Sequence, residues 1–156
     1  MNNPLAAIQH RSPIGRRQPG AAESEPVVYM VDDAADFQTI VHFWLESHYA
    51  HLALKDGNEL FGALLVNEPD LIILDLNLPG SDGFELCRRI RATPGRERTP
   101  VLFLTASHEY SDYRRNFRAG GTGFLTKPVG RRQLLTAMSE LLEGGEGVEA
   151  DLGGGD

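Results

Sequence analysis

The sequence has almost no cysteine, since Cys87 is the only one among 156 residues. A single cysteine excludes an intramolecular disulfide and is typical of a reducing compartment, so we expect a cytoplasmic location. Apolar runs are also short, and none approaches the roughly 18 residues that a membrane-spanning helix needs. The N-terminal stretch contains Arg16 and Arg17 but lacks the apolar segment of a signal peptide. We therefore predict no membrane span and no secretory signal.

An excess of positive charge is absent as well. The chain has 15 Lys and Arg against 22 Asp and Glu, which gives a formal net charge of −7. Proteins that bind nucleic acid through its phosphates normally carry a basic surface, so we expect no direct contact with nucleic acid.

The length predicts one domain rather than two, and the apolar content of 41% is sufficient for a core. Residues 1–25 are rich in Pro, Gly, Ala and Arg and show no periodicity, while residues 143–156 are mainly Gly and acidic residues. Compositions of this kind are typical of disordered extensions. We therefore expect the folded domain to span residues 26–142.

Within this domain, five short apolar runs of strand type alternate with five segments whose apolar residues recur at helical spacing. The strand runs are residues 27–31, 52–54, 71–74, 101–104 and 123–126. Strands that are apolar on both faces must be covered on both faces, so the pattern predicts an α/β fold with a parallel, doubly wound sheet. Ligands of such sheets bind outside the carboxyl ends of the strands.

Reactive side chains follow four of these strands. Asp32 and Asp33 end the first strand, Asp75 the third, Thr105 the fourth and Lys127 the fifth. Because the carboxyl ends of parallel strands meet at one edge of the sheet, we expect these side chains to converge. Each pair of carboxylates about 4 Å apart costs roughly 4 kcal/mol at a surface-like dielectric. A hard cation relieves this repulsion, and such oxygen ligands suit Mg²⁺ or Mn²⁺.

The same residues are suited to phosphoryl transfer. Magnesium usually binds one or two carboxylates together with a substrate phosphate, which leaves Asp75 available as a nucleophile. Phosphoryl transfer depends on in-line placement and charge neutralisation more than on acid–base chemistry. Lys127 supplies a positive charge for one phosphoryl oxygen, and the Thr105 hydroxyl can donate to another.

Four segments resemble the receiver domain of bacterial two-component response regulators. They are V-D-D at 31–33, L-D-L-N-L-P-G-S-D-G at 74–83, L-T-A at 104–106 and L-T-K-P at 125–128. Their order and spacing also match the family, and the resemblance covers roughly residues 26–142. It implies a flavodoxin-like fold with five helices and a five-stranded parallel sheet in the order 2-1-3-4-5.

The resemblance implies a role for each matching residue. Asp75 would be the phosphoacceptor and would help to bind the magnesium ion. Asp33 would contact this ion directly, Asp32 partly through water, and Asn77 through its backbone carbonyl. The side chain of Asn77, together with Ser107, would also tune the rate at which the phosphoryl group is hydrolysed.

The remaining implied roles concern the phosphoryl group and the response to it. Thr105 and Lys127 would bind the phosphoryl group, and the small Ala106 would leave its pocket open. Phe124 occupies the place of the switch aromatic, which moves inward when the threonine moves. The bond between Lys127 and Pro128 is commonly cis in the family.

The resemblance also implies the partners. A histidine kinase or a histidine phosphotransfer protein would donate the phosphoryl group, and a downstream protein would dock on the fourth helix, fifth strand and fifth helix. Five arginines fall on these helices and suggest a basic patch: Arg114, Arg115, Arg118, Arg131 and Arg132. The domain would promote only its own phosphorylation and dephosphorylation, so it is not an enzyme in the usual sense.

Two other functions stay open at this point. A metal-dependent phosphatase with an aspartyl nucleophile usually has a second acid two residues later, where this chain has Asn77. A non-phosphorylated interaction module of the same fold, such as a flavin-binding or decayed receiver, is a further alternative. All five key side chains are present, which argues against decay.

Several residues have simpler interpretations. Asp32 and Asp33 taken alone would favour the start of the first helix through its dipole. Asp82 with Glu85 is typical of a capping box, and Cys87 is expected to be a core thiol. The five histidines show no spacing typical of a metal site.

Two glycines depart from the family pattern. Gly121 and Gly123 replace commoner residues near the fifth strand, and we expect them to loosen it.

Overall fold

The computed structural model describes residues 25–106 and 110–144, without the side chains of residues 110–112. The extensions expected at 1–25 and 143–156 fall almost entirely outside these ranges. The strands are β1 Val27–Val31, β2 Ala50–Leu54, β3 Leu71–Asp75, β4 Val101–Thr105 and β5 Gly123–Thr126. The helices are α1 Ala35–Leu45, α2 Gly57–Val66, α3 Gly83–Ala92, α4 Tyr110–Arg118 and α5 Arg131–Leu142. Across the described ranges, no helix combines the length and the apolar character that a bilayer crossing needs.

The strands form one parallel sheet in the order β2-β1-β3-β4-β5, which confirms the predicted fold. Every residue of β1, β3 and β4 is buried, because these strands have neighbours on both sides and helices on both faces. The edge strand β2 is less buried, and Ala53 in it is exposed.

Side-chain alternation along β1 divides the core between the two faces of the sheet. Tyr29 and Val31 point to one face, where they pack with residues of α2 and α3 such as Leu60 and Cys87. Met30 points to the other face, which is covered by α1 and α5. Cys87 is completely buried, as expected for a core thiol.

Aspartates begin two of the helices. The Oδ1 atom of Asp56 accepts a hydrogen bond from the Glu59 backbone N–H at 2.8 Å at the start of α2. At the start of α3, Asp82 Oδ1 accepts from the Phe84 N–H at 2.9 Å, so Asp82 is an N-cap. The reciprocal half of the predicted capping box, a hydrogen bond from the Asp82 backbone N–H to the Glu85 carboxylate, does not form among the described residues, and this carboxylate contacts Arg88 Nη1 at 3.0 Å.

The structure explains why glycine occupies positions 121 and 123 near β5, which the sequence did not reveal. Both are buried. A Cβ atom on Gly123 would lie 2.9 Å from Leu102, and one on Gly121 would overlap the Asn116 amide and lie 2.7 Å from the Phe103 ring. These glycines therefore allow close packing around β5 instead of loosening it.

Candidate functional site

The backbone at the carboxyl ends of the strands holds the predicted residues at one edge of the sheet. The ladder continues one residue past β1, where the Asp32 N–H donates to the Leu54 carbonyl at 2.9 Å. It also continues past β5, where the Lys127 N–H donates to the Thr105 carbonyl at 2.6 Å. Asp75 is the last residue of β3, in the middle of the sheet. Residues that are distant in sequence therefore meet at this edge.

The structure brings three carboxylates together. Asp32, Asp33 and Asp75 each offer one oxygen, and these oxygens lie within 4.8 Å of one another. Asp32 and Asp75 are buried, whereas Asp33 is exposed. Three negative charges this close repel one another strongly. Carboxylate oxygens are the ligands that Mg²⁺ and Mn²⁺ prefer, so the cluster fits a divalent cation.

Lys127 partly compensates this charge. Its Nζ lies 2.9 Å from Asp32 Oδ2 and 3.5 Å from Asp75 Oδ2, and it also stacks over the Phe37 ring, 4.7 Å from the ring centroid. Burial by itself would lower the pKa of Lys127, but the hydrogen bond to Asp32 and the charges of both aspartates raise it above its ordinary value. The ammonium is therefore charged at neutral pH. One positive charge among three carboxylates leaves a net negative charge that a divalent cation can neutralise.

The environment of Asp75 disfavours its ionised form. Burial is the main cause and raises the pKa of Asp75, and the charge of Asp32 raises it further. The hydrogen bond that Asp75 Oδ1 accepts from the Asn77 N–H at 2.9 Å and the proximity of Lys127 oppose this shift without reversing it. The buried carboxylate thus carries negative charge that the surrounding protein does not fully stabilise.

The other predicted residues surround this carboxylate. Thr105 is buried at the end of β4, and its Oγ1 lies 3.4 Å from Asn77 Nδ2, which can donate to it. Ala106 is exposed beside it. The peptide between Lys127 and Pro128 is cis, as the resemblance implies. Ser107 lies outside the described residues.

Phe124 already occupies an inward position. It is 1% exposed and packs edge-on against Tyr113, with ring centroids 5.9 Å apart. The side chain of Phe124 is therefore already buried in this structure. The expected inward movement would have to start from another conformation, in which Phe124 is more exposed.

Sequence reasoning missed one buried residue beneath the site. Gln38 of α1 is 8% exposed, and its Nε2, which has two hydrogens to donate, lies within hydrogen-bond distance of three backbone carbonyls. These belong to Met30 at 3.0 Å, Asp32 at 3.1 Å and Leu54 at 3.0 Å. The amide therefore ties α1 to the ends of β1 and β2, directly below the acidic loop. The sequence contained one signal for this role. Gln38 falls on the same helical face as the apolar residues Val41 and Leu45, where a polar side chain is unusual.

Sequence reasoning also missed an exposed apolar surface beside the site. The residues of this α1 patch lie next to Lys127 and are Phe37, Ile40, Trp44, Pro128 and Val129. Ile40 and Pro128 are exposed, Phe37 and Trp44 are half-buried, and Val129 is buried. Ile40 is 46% exposed although its helical spacing suggests a core position. The patch lies between α1 and the loop after β5.

One prediction follows from the shifted pKa of Asp75. Because this pKa is higher in the folded protein than its ordinary value of 3.8, the folded protein binds the proton more tightly than the unfolded chain does. The stability of the metal-free protein should therefore fall as pH rises through the folded-state pKa. At neutral pH, we expect Asp75→Asn to raise the free energy of unfolding by about 1 kcal/mol. The repulsion between Asp75 and Asp32, roughly 4 kcal/mol for a pair at ~4 Å near a protein surface, is largely offset by the attraction between Asp75 and Lys127.

Urea unfolding at neutral pH and near the ordinary pKa of aspartate measures this effect. The gain should shrink in acid, and Mg²⁺ should stabilise the wild type more than the variant. Asp56→Asn is the matched control, because an asparagine retains the N-cap of α2. A gain that is independent of pH, or no gain at all, would contradict the prediction.

Fold and site together define a doubly wound α/β module with three carboxylates and a lysine at one edge of its sheet, a cluster that fits a divalent cation. Comparison with known families is more specific, since the model of the response regulator receiver domain matches residues 28–139. The chain belongs to this family of signalling modules from two-component systems.

Individual relatives agree with this assignment. The transcriptional regulatory protein ResD of Bacillus subtilis is 34% identical over 120 residues, which are 76% of this chain and 49% of ResD. The phosphate regulon transcriptional regulatory protein PhoB of Rhizobium meliloti is 33% identical over 118 residues, which are 75% of this chain and 52% of PhoB. The chain thus spans about half the length of the curated relatives it matches.

Solved structures show the same architecture. The chemotaxis response regulator CheY4 of Vibrio cholerae matches with a TM-score of 0.72 and 28% identity, over 76% of this chain and 99% of CheY4. The signal receiver domain of a signal transduction histidine kinase from Syntrophus aciditrophicus matches with a TM-score of 0.70 and 30% identity. That match covers 76% of this chain and 91% of the receiver domain.

Proposed function

We propose that this chain accepts a phosphoryl group on Asp75 from a phosphohistidine of a protein donor, with Mg²⁺ or Mn²⁺, and signals by a conformational switch. The observation that carries the proposal is the position of Asp75. Its buried carboxylate lies at the edge of the sheet within reach of Lys127 and of two further carboxylates. In the transfer, an oxygen of Asp75 bonds to phosphorus while the P–N bond breaks and the donor imidazole leaves.

The acidic residues would hold the cation. Asp33, which is exposed, is placed for a direct contact, whereas Asp32 already binds Lys127 and the Ala34 N–H and would act partly through water. Asp75 and the backbone carbonyl of Asn77 would complete the protein ligands. A bound divalent cation neutralises charge on the phosphoryl oxygens.

Lys127 and Thr105 would bind the phosphoryl group once it is in place. The Lys127 ammonium, now 3.5 Å from Asp75 Oδ2, is within reach of an oxygen attached there. The Thr105 hydroxyl would turn from the Asn77 amide to a second phosphoryl oxygen, and exposed Ala106 leaves room for this group. The side chain of Asn77, together with Ser107, would set how readily water reaches the acyl phosphate.

Movement of Thr105 would carry the signal to α4, β5 and α5. Phe124 and Tyr113 pack against each other between β5 and α4. Thr105 pairs with Thr126 two residues after Phe124 in β5, so we expect a movement of Thr105 to change this contact. Because Phe124 is already inward, we expect phosphorylation to shift a pre-existing population rather than to create a new conformation. A downstream protein would dock on this face. The arginines Arg114, Arg118, Arg131 and Arg132 of α4 and α5 are exposed, whereas the Arg115 guanidinium lies over the Phe84 ring of α3.

The proposed function is not that of an enzyme in the usual sense. The domain would promote only its own phosphorylation and dephosphorylation and would not turn over a separate substrate. The phosphatase alternative would need an acid at the position of Asn77, whose carboxamide cannot act as an acid–base group. Steady, magnesium-dependent hydrolysis of a phosphate ester would favour the phosphatase.

Beryllium fluoride with Mg²⁺ tests the proposal, because it mimics an acyl phosphate on an aspartate. We expect saturable, magnesium-dependent shifts of the amide NMR signals of Asp75, Thr105 and Phe124. The shifts should disappear in Asp75→Asn and persist in Asp82→Asn, whose substituted side chain can still cap α3. A wild-type spectrum that does not respond would reject the switch and favour constitutive docking.

The α1 patch supports a protein as the phosphoryl donor. A small donor needs only the pocket at Asp75, whereas a protein donor also needs a surface next to it. The patch supplies exposed apolar area directly beside Lys127, and such patches mark interaction sites. We propose that a helix of the histidine kinase or phosphotransfer protein packs here while its phosphohistidine reaches Asp75.

Substitution in the α1 patch should separate the two kinds of donor. With a histidine kinase that phosphorylates the wild type, Ile40→Ala should slow phosphotransfer about tenfold, because a central interface residue contributes more than ~1 kcal/mol. Phosphorylation by acetyl phosphate should be unchanged. Leu65→Ala is the matched control, since Leu65 is a 90% exposed aliphatic residue on α2. Equal effects of both substitutions on phosphotransfer would exclude the patch as the docking surface.

A further inference from the structure

Two histidines face each other near the opposite end of the sheet from the carboxylates. Although histidine spacing along the chain indicates no metal site, the fold brings His42 of α1 beside His51 of β2. Their Nδ1 atoms lie 3.5 Å apart and their ring centroids 5.7 Å apart, so nitrogens rather than carbons meet. This separation is long for a nitrogen–nitrogen hydrogen bond. Two imidazole nitrogens bound to one tetrahedral Zn²⁺ would lie about 3.4 Å apart.

His51 has a lone pair available for a cation at neutral pH. Burial is the main cause that lowers the pKa of His51 to about 4, and the neighbouring His42 lowers it further. The ring is therefore neutral. Its Nε2 is buried and has no hydrogen-bond partner in the described part of the chain. The Nδ1 atom that faces His42 is thus the nitrogen that an ion at the surface can reach.

A carboxylate lies near the other ring nitrogen of His42. Glu46 follows one turn later on the same helical face, and its Oε2 lies 3.7 Å from His42 Nε2. In the tautomer with its proton on Nε2, His42 would direct this N–H toward the carboxylate and the lone pair of Nδ1 toward His51. Metal-binding histidines commonly show this arrangement, with a carboxylate near the nitrogen that does not contact the metal.

We propose that His42 and His51 bind one divalent transition-metal ion of the Zn²⁺, Cu²⁺ or Ni²⁺ class through their Nδ1 atoms, with Glu46 near the outer nitrogen of His42 and water completing the coordination. Imidazole suits these ions, whereas the carboxylate cluster suits Mg²⁺. His51 pairs with Val28 in the sheet, while Asp32 follows Val31. Three to four residues of strand, or about 10–13 Å, separate the two sites. The ion would tie the last turns of α1 to the edge strand β2.

Calorimetric titration of the full chain with ZnCl₂ tests this site, with excess Mg²⁺ present to occupy the carboxylates. We expect one ion per chain and an affinity that falls roughly tenfold or more in His42→Ala, because a main ligand is lost. His42 is exposed, so this variant should fold, which circular dichroism checks. His51→Gln should give a similar loss. The matched control is His48→Ala, since His48 is an exposed histidine just after α1. The zinc affinity of this variant should stay within about twofold of the wild-type value.

A second readout places the ion in the fold. Cu²⁺ should broaden the amide NMR signals around His42 and His51 before those around Asp75. Zinc binding that is unchanged in His42→Ala would overturn the proposal. So would binding that is lost in Asp33→Asn but kept in His42→Ala, because the ion would then lie at the carboxylates. Neither result depends on phosphorylation of Asp75, so this site and the proposed function are tested separately.

Discussion

Replacement of Asp75 by asparagine is expected to abolish phosphoryl incorporation from acetyl phosphate in the presence of Mg²⁺. The carboxamide has nearly the same shape, and its oxygen can still accept the Asn77 N–H. It cannot attack phosphorus as a carboxylate does, because it carries no negative charge. We expect a loss of about a thousandfold or more, as for other essential nucleophiles. Intact-protein mass spectrometry measures the result as the fraction of chain that gains one phosphoryl group.

The control for this experiment is Asp82→Asn, which makes the same chemical change seven residues later in the chain. Asp82 caps α3 through Phe84, and an asparagine retains this bond. The control should incorporate phosphoryl groups at the wild-type level. If Asp75→Asn were still phosphorylated in the same peptide, the assignment of the phosphoacceptor would be wrong.

Replacement of Gly121 by alanine is expected to destabilise the fold by about 1–3 kcal/mol, the usual cost of overpacking a core. An added methyl group would overlap the Asn116 amide and lie 2.7 Å from the Phe103 ring. Asn116 is completely buried. Phe103 is completely buried in β4, between β3 and β5, so neither neighbour can move without disturbing the core. Urea unfolding measures the change.

The matched control is Gly62→Ala on α2. Gly62 is exposed, and a Cβ atom there would meet nothing within 4 Å. Alanine is favoured over glycine within a helix, so we expect this substitution to stabilise the protein by roughly 0.5–1 kcal/mol. A neutral or stabilising effect of Gly121→Ala would show that β5 is as loosely packed as its glycines suggest from sequence.

The fold and most of the candidate site were predictable from sequence because both follow from local patterns. Short runs that are apolar on both faces, such as 71–74, predict buried parallel strands without knowledge of their neighbours. The residue after such a strand must lie at the carboxyl edge of the sheet. Asp32, Asp75 and Lys127 could therefore be placed together before any distance was known, although their roles in phosphorylation stay predictions.

The sequence by itself determined the order of the elements, the edge of the sheet that carries the charged residues and the family to which the chain belongs. Only the tertiary structure decided that Ile40 is exposed, that Gly121 has no room for a side chain and that His42 faces His51. The physical reason is that these three facts depend on distances between elements that are not adjacent along the chain. Helical periodicity shows which residues share a face, but the packing of neighbouring elements determines how much of that face is covered.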